Sequence, residues 1–209
     1  MHNILARHIF YYVRAPRAAG ISPRRMPIEN EIKLRIADVE PVRQQIAALA
    51  YTVVHQRTYE NNVLFDTADR SLRQSRRLLR LRTAGGRTIV TFKGPGRKGP
   101  HKTREEIEFT ASSADAVLAL FEQLSFAPVF RYEKYRTEYA KDGAPGVITV
   151  DETPIGSFLE LEGPPEWVDT TAHELRFSSA DYIKDSYASL YVEHCREQGT
   201  EPSDMLFPR

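Results

Sequence analysis

The stretch Glu29-Asn30-Glu31-Ile32-Lys33-Leu34-Arg35-Ile36 decides the fold of this chain, because it reads as a strand with two very different faces. Successive side chains of a strand point to opposite sides. The charged residues at positions 29, 31, 33 and 35 therefore share one face, and the aliphatic residues at 32, 34 and 36 share the other. An ordinary half-buried strand that turns its polar side toward solvent shows the same alternation. This stretch alone leaves open whether its charges face water or an interior.

The same charged alternation recurs in later predicted strands, at Arg80 and Arg82, at Lys93, at Arg104, Glu106 and Glu108, at Lys134 and Arg136, at Asp151, and at Glu160 and Glu162. One such strand fits a sheet with a wet outer side, but the whole series favours charged faces that converge inward. Closure of about eight strands into a barrel removes the exposed edges. The interior of an eight-stranded barrel holds side chains or one small ligand. We therefore predict an α+β fold: an eight-stranded antiparallel β-barrel with helices packed outside, over its apolar face.

Alternation, turn residues and capping residues place the individual elements. Strands are predicted at 28–36, 51–56, 62–65, 78–82, 87–93, 102–109, 129–139, 147–151 and 157–162. Helices are predicted after Asp38, after Ser113, at 170–175, and after Ser178-Ser179 at the end of the chain.

Composition is that of an ordinary globular protein, with 27% charged and 41% hydrophobic residues among 209. The net charge of +1 indicates no global basic field, so a nucleic acid partner is not expected. The single cysteine, Cys195, excludes a disulfide framework within the chain. No apolar run approaches a membrane span and no secretory signal is evident, so we expect no membrane association and a cytoplasmic location.

Residues 1–26 differ from the rest because they contain five arginines and no acidic residue. We predict a basic, disordered leader here, followed by the tunnel domain at 27–198 and a short C-terminal tail at 199–209. Two other interpretations of the leader stay open: a basic arm that contacts an anionic partner, and an extension upstream of a natural start at Met26.

The charged face combines two kinds of group whose chemistry points to one class of ligand. Guanidinium and ammonium groups suit phosphate oxygens, and clustered carboxylates suit a hard cation such as Mg²⁺ or Mn²⁺. Buried charges without compensation would each cost several kcal/mol. Together the two sets favour a metal-bound polyphosphate.

An ordered series of motifs carries a family resemblance: Glu29-x-Glu31-x-Lys33, Phe65-Asp66-Thr67, Arg80-x-Arg82, Thr91-x-Lys93-Gly94, Arg104-x-Glu106-x-Glu108, Lys134-x-Arg136, Asp151 and Phe158-x-Glu160-x-Glu162. The series resembles the CYTH, or triphosphate tunnel metalloenzyme, superfamily over roughly Pro27 to Cys195. The resemblance implies an eight-stranded antiparallel tunnel. It also implies action on triphosphates with a divalent metal, as in inorganic, thiamine and RNA triphosphatases and class IV adenylate cyclases.

The resemblance also implies roles for individual residues. Triphosphate binding falls to Lys33, Arg80, Arg82, Lys93, Arg104, Lys134 and Arg136. Binding of Mg²⁺ or Mn²⁺ falls to Glu29, Glu31, Glu160 and Glu162, with Asp151, Glu106 and Glu108 as further ligands or orienters. Lys33, Glu29 and Glu31 are the residues implied in catalysis, whereas Arg35 is a weaker candidate at the end of its strand.

Three functions remain open from the sequence. The favoured one is a divalent-metal-dependent triphosphatase acting on inorganic triphosphate or a small organic triphosphate. The second is a class IV adenylate cyclase that converts ATP to cyclic AMP and pyrophosphate. The third, a non-enzymatic polyphosphate- or nucleotide-binding module, is disfavoured because phosphate binding alone needs few carboxylates. The expected partner is a small-molecule triphosphate, and the protein is expected to be a monomer or a homodimer.

Overall fold

The computed structural model describes residues 28–97 and 99–209, so the predicted leader lies outside the described residues. The strands are β1 (Ile28–Ile36), β2 (Thr52–Asp66), β3 (Leu78–Ala84), β4 (Arg87–Lys93), β5 (Lys102–Ala111), β6 (Ala127–Ala140), β7 (Val147–Thr153) and β8 (Gly156–Glu162). The helices are α1 (Val39–Ala48), α2 (Ser71–Gln74), α3 (Ala114–Gln123), α4 (Pro165–Glu174) and α5 (Tyr187–Gln198), and a short 3₁₀ helix covers Ser179–Asp181.

The strands form a closed antiparallel barrel in the order β1-β5-β4-β3-β2-β6-β7-β8. Pairing of β1 with β8 closes it, from Glu31 opposite Glu162 to Ile36 opposite Ser157. Directly opposite residues of an antiparallel pair point to the same side, so Lys33 and Glu160 share the inner face. The predicted fold class, an eight-stranded antiparallel barrel with helices outside, is confirmed.

Local sequence explains where several elements begin and turn. The Asp38 side chain accepts a hydrogen bond from the Glu40 N–H at the start of α1, and Ser113 accepts one from the Ala116 N–H at the start of α3. The β3–β4 hairpin turns at Gly85 and Gly86, whose φ angles of 53° and 74° favour glycine.

The two strands predicted at 51–56 and 62–65 are one 15-residue strand, β2, so the predicted break between them was wrong. Pairing with β6 continues through the polar stretch, with register shifts between Val53 and His55 and between His55 and Thr58. Such bulges keep the ladder continuous where the alternation of side chains is irregular. As a result Glu60 lies opposite Lys134 inside the barrel.

The final helix begins later than predicted. Ser178 caps only the short 3₁₀ helix, where its N–H and hydroxyl both bond to the Asp181 carboxylate. The chain then extends, and Ile183 exchanges backbone hydrogen bonds of 2.9 and 3.0 Å with Lys33. Helix α5 starts at Tyr187 with Ser186 as its cap. Pairing with the end of β1 is the tertiary interaction that displaces the helix.

Helices cover only part of the apolar outer face. Beneath α1 and α4, a core forms on the outer face of β1, β7 and β8 and includes Leu34, Ile148 and Leu159. A second core includes Phe65, Val90 and Phe121. On β5, however, Ile107 and Phe109 are 43% and 54% exposed, so the prediction that helices cover this strand was wrong.

The C-terminal part of the chain packs against one end of the barrel. A third apolar cluster joins Tyr132, Ile155, Phe158, Tyr187 and Met205. Residues 199–209, predicted only as a short tail, contain Met205, which is fully buried and hydrogen-bonded to the backbone of β6 through Arg131 and Glu133. This end of the barrel is therefore built partly from the last residues of the chain.

Candidate functional site

A cavity of about 290 Å³ runs inside the barrel and is lined almost entirely by charged side chains. The described residues lining it include eight cations, Lys33, Arg80, Arg82, Lys93, Lys102, Arg104, Lys134 and Arg136, and seven acids, Glu29, Glu31, Glu106, Glu108, Glu138, Glu160 and Glu162. The remaining lining residues are Leu78, Tyr132, Ser186 and Tyr187. The period-2 alternation of each strand places these charges inside.

The structure brings all but one of the predicted site residues to this cavity. The exception is Asp151 of β7, which is fully buried behind the lining and accepts hydrogen bonds from Lys134, Arg136 and Tyr187. Of the two roles predicted for Asp151, this setting favours orientation of neighbours over metal binding. Arg35 also lies outside the cavity lining: it donates to the Ile155 carbonyl and stacks over Phe158.

One side of the cavity, called here the arginine wall, consists of Arg80, Arg82, Lys134 and Arg136 on β3 and β6. Two of its cations pair with acids set outside the cavity lining, Arg82 with Glu60 at 3.0 Å and Lys134 with Asp151 at 2.8 Å. Pairs with lining acids are also present, between Arg82 and Glu108 at 3.3 Å and between Arg136 and Glu160. Burial would raise the pKa of Glu60, but the nearby cations, led by Lys134 and Arg136, lower it to about 2. Glu60 is therefore a permanent anion that fixes this wall.

The opposite side, the carboxylate wall, consists of Glu29, Glu31, Glu106, Glu160 and Glu162 on β1, β5 and β8. Three lysines that also line the cavity neutralise it in part, and they lie at Lys33, Lys93 and Lys102. Lys93 Nζ lies 2.6 Å from Glu29 and 3.0 Å from Glu106, and Lys33 Nζ lies 2.8 Å from Glu160. These ion pairs stay within the cavity, where a ligand can reach both partners.

Negative charge is in excess on part of the carboxylate wall. Burial, a hydrogen bond with Glu106 and the charge of Glu31 raise the pKa of Glu29 to about 9. Desolvation and the charges of Glu31, Glu106 and Glu160 raise the pKa of Glu162 to about 7, against the opposing effect of Lys93. Glu162 remains exposed to solvent, which screens part of this shift. In contrast, the cations around Glu31 and Glu160 outweigh burial and hold the pKa of both carboxyls well below the usual range.

These carboxylates have the chemistry that a hard divalent cation needs, because a bound cation would relieve the repulsion that raises the pKa of Glu29 and Glu162. Among residues 28–97 and 99–209, however, no group of three or more acidic, histidine or cysteine side chains stands ready to hold a metal ion. The lysine pairs occupy the carboxylates instead. Metal binding would require these pairs to open.

Sequence reasoning missed several residues of the site. Lys102 lines the cavity and bonds to Glu31, and it could have been found because it continues the Arg104-x-Glu106-x-Glu108 alternation. Burial and the charges of Lys33 and Arg104 lower the pKa of Lys102 to about 8, although Glu31 opposes them. Glu60 was missed because β2 was predicted as two strands. Tyr187 received no role because its helical position gave no strand signal.

The comparison with family models matches the CYTH domain over residues 27–187. A protein of Methanocaldococcus jannaschii, named as a candidate adenylate cyclase, is 34% identical over 135 residues, which cover 65% of this chain and 76% of the relative.

Solved structures share the fold at lower identity. A candidate adenylate cyclase from Vibrio parahaemolyticus has a TM-score of 0.71 at 20% identity and covers 79% of this chain and 98% of its own. A candidate adenylyl cyclase from Hippeastrum, described as having a dominant triphosphatase activity, has a TM-score of 0.56 at 18% identity and covers 83% and 97%. Both likenesses concern the fold.

None of the described helices combines the length and the apolar character that crossing a bilayer requires.

Proposed function

The chain belongs to the CYTH domain family, and from this premise we propose that it is a divalent-metal-dependent hydrolase of triphosphates. Its substrate is inorganic triphosphate or a small organic triphosphate, bound inside the barrel. The observation that carries the proposal is the lining of the 290 Å³ cavity, in which eight cations and seven carboxylates of the described residues face one space. Binding of a phosphate chain requires the cations, and binding of a metal ion requires the carboxylates.

The arginine wall has the capacity to take up a new anion. The Nε atoms of Arg80 and Arg82 are buried without a hydrogen-bond partner within the described residues. Burying such donors unpaired is unfavourable, so a ligand that accepts from them gains affinity. Charge-assisted bonds from a guanidinium fork to phosphate oxygens are among the strongest hydrogen bonds in proteins.

Lys33 and Lys93 would join in phosphate binding by exchanging partners. When a triphosphate enters, their ammonium groups can leave Glu160 and Glu29 for phosphate oxygens. Both lysines line the cavity, where their present contacts with these carboxylates are 2.8 and 2.6 Å long. The freed carboxylates Glu29, Glu31, Glu106, Glu160 and Glu162 would then hold Mg²⁺ or Mn²⁺.

Phosphoryl transfer depends mainly on positioning and charge neutralisation. Bound Mg²⁺ or Mn²⁺ would supply neutralisation of phosphate oxygens and a more acidic water nucleophile. The protein's own part is to align the phosphate chain between Lys33, Lys93 and the arginine wall, and to stabilise the charge that builds up on the leaving phosphate. Burial of the lining keeps these charges effective, because little water screens them.

Hydrolysis is favoured over cyclisation because the cavity has few apolar lining residues. Only Leu78, Tyr132 and Tyr187 offer apolar surface among the 19 lining residues described, whereas a cyclase must also seat an adenine ring. The dominant triphosphatase activity stated for the Hippeastrum protein points the same way.

Class IV adenylate cyclase activity is the second candidate, and two observations favour it. The M. jannaschii relative carries the cyclase name. A less polar groove of about 510 Å³ adjoins the carboxylate wall, shares Glu29 and Glu162 with it, and is lined by residues such as Val147 and Pro164. That groove could receive an organic group attached to the triphosphate.

One assay separates the candidates. Purified protein is incubated with inorganic triphosphate, thiamine triphosphate and ATP, each with Mg²⁺ and with Mn²⁺, and both phosphate release and cyclic AMP are measured. We expect metal-dependent phosphate release. Cyclic AMP and pyrophosphate from ATP, without hydrolysis of inorganic triphosphate, would replace the proposal with the cyclase. Binding without turnover of any substrate would leave a binding module.

A further inference from the structure

Tyr187 reaches the cavity from outside the barrel. It is the first residue of α5 and is only 6% exposed, yet it lines the cavity beside strand residues. Its hydroxyl donates a 2.7 Å hydrogen bond to Asp151 Oδ2. Burial and the negative charges of Asp151 and Glu160 raise the pKa of Tyr187 well above its usual range, so the hydroxyl stays protonated as a donor.

The acceptor of this bond holds two cations of the arginine wall. Asp151 Oδ2 also accepts from Lys134 Nζ at 2.8 Å and from Arg136 Nη2 at 2.6 Å, while Oδ1 accepts from Arg136 Nε at 2.6 Å. Asp151 is completely buried, and these three residues supply the side-chain hydrogen bonds to its carboxylate. The position of the Asp151 carboxylate therefore determines the positions of Lys134 Nζ and the Arg136 guanidinium, and is determined by them.

The aromatic ring of Tyr187 contacts cations on two sides of the barrel. Lys33 Nζ of β1 lies 4.9 Å from the ring centroid, and Lys134 Nζ of β6 lies 5.3 Å from it. Both distances are within the range in which a cation is attracted to an aromatic face. One side chain thus links the phosphate-binding lysines of opposite walls.

The C-terminal segment holds Tyr187 in this position. Its ring packs against Phe158 at 5.5 Å and Tyr132 at 5.9 Å, in the cluster that buries Met205. Just before it, Ile183 pairs with Lys33. The segment is fixed on both sides of Tyr187, so the tyrosine has little freedom to move.

We propose that Tyr187 is a positioning residue for the triphosphatase reaction. It acts through Asp151 on Lys134 and Arg136, and through its ring on Lys33. The inference rests on the proposed function. Its consequence is that phosphate affinity depends on one hydroxyl that is contributed by a helix outside the barrel.

The test compares Tyr187→Phe with Tyr191→Phe. The first removes the hydroxyl and keeps the ring. The second removes a hydroxyl one turn along the same helix, whose contact is Ser203 at 3.4 Å and whose ring packs near Phe130 in the same cluster. We expect Tyr187→Phe to raise KM for inorganic triphosphate about fivefold or more, with a smaller change in kcat, because Lys134 and Arg136 contact the bound substrate. Tyr191→Phe should keep the parent KM.

Two further variants separate the roles of hydroxyl and ring. Tyr187→Leu also removes the ring and should raise KM further than Tyr187→Phe. Asp151→Asn should raise KM, but adding Tyr187→Phe to it should change little, because both substitutions break one interaction. Thermal melts of each variant without ligand record any loss of folding.

The outcomes distinguish the inference from the proposed function. If Tyr187→Phe keeps the KM of the parent, or if Tyr191→Phe raises KM by the same factor, the positioning role is overturned. The proposed triphosphatase function is not affected by either result. If the parent hydrolyses no triphosphate, the proposed function fails, and calorimetric titration with inorganic triphosphate then decides the inference. Weaker binding by Tyr187→Phe alone would uphold a role in phosphate affinity. Equal binding, or no binding by the parent, would reject it.

Discussion

The two walls of the cavity differ in where their ionic partners lie. Besides contacts with the lining acids Glu108 and Glu160, the arginine wall pairs with Glu60 and Asp151, two acids that lie outside the cavity lining and are 4% and 0% exposed. The carboxylate wall pairs with lysines that line the same cavity. A cation fixed by an acid outside the lining stays in place when a ligand arrives, whereas an ion pair inside the cavity can exchange partners. The first wall is thus preorganised for an anion, and in the second a ligand must compete with the existing ion pairs.

The largest expected effect on turnover comes from substitutions that remove charge from the carboxylate wall and leave the arginine wall intact. Glu29→Gln with Glu31→Gln, or Glu160→Gln with Glu162→Gln, changes charge at nearly constant shape. Turnover of inorganic triphosphate should fall by roughly 10²-fold or more, because the groups proposed to hold the metal are removed. Steady-state kinetics across a Mg²⁺ and Mn²⁺ concentration series measure it.

Glu166→Gln with Glu174→Gln is the matched control for this experiment. Both residues are exposed on α4 and neither lines the cavity, so the same change of charge should leave turnover at the parent value. Unchanged metal dependence in both carboxylate-wall variants would show that these glutamates do not hold the metal.

A smaller effect is expected from the arginine wall, where binding rather than turnover should suffer. Arg82→Ala should weaken binding of inorganic triphosphate by about 1–3 kcal/mol for each charge-assisted hydrogen bond that the substitution removes. Added triphosphate should raise the Tm of the parent by mass action, and raise it less in the variant. Arg87→Ala, an exposed position on β4, is the control. Equal ligand-induced shifts in parent and Arg82→Ala would mean that Arg82 only neutralises Glu60 and Glu108.

Acid titration should separate the two walls without any ligand. With a pKa of about 2 against an ordinary 4.5, Glu60 stabilises the fold above pH 4.5, and this contribution disappears as the pH falls toward 2. Glu60→Gln should therefore lower the free energy of unfolding at neutral pH, by on the order of 3 kcal/mol from the shift alone. The deficit should shrink in acid. Denaturant melts from pH 7 to pH 2 measure it.

Glu162 should behave in the opposite way, because its pKa of about 7 lies above the ordinary value of 4.5. The folded state then binds a proton more tightly than the unfolded state, so stability falls as the pH rises from 4.5 toward 7. Glu162→Gln should relieve this fall and be more stable than the parent at pH 8. A loss of stability at pH 8 would show that Glu162 is compensated in the fold.

The smallest effect is expected from residues that belong to neither wall. None of the predicted site residues lies in Met1–Arg25. A shortened chain beginning at Met26 should keep the Tm and kcat/KM of the full chain. A clear drop in either would assign the leader a part in the domain.

Alternation of charged and apolar residues was sufficient to predict the barrel and most of its charged lining. Each strand's own sequence determines which side chains face inward, so Arg80, Arg104 and Glu160 could be assigned without knowing their neighbours. Pairing partners could not be assigned in this way. That Asp151 lies behind the lining, that Glu60 anchors Arg82, and that β2 is continuous all depend on contacts between segments far apart in sequence. Tyr187 lies on a helix, where strand periodicity carries no information.

The position of Met205 and Tyr187 has a consequence for how the protein is made. A ribosome releases the chain from its N-terminus, and domains usually fold as units once their residues have emerged. Here β1 must wait for β8 to close the barrel, and Tyr187 and Met205 must follow before Asp151 has all its donors and the cluster around Phe158 is filled. A polypeptide whose synthesis stops after β8 would carry every strand of the tunnel but not the residue that aligns its cations. Premature products of translation should therefore be inert toward triphosphates.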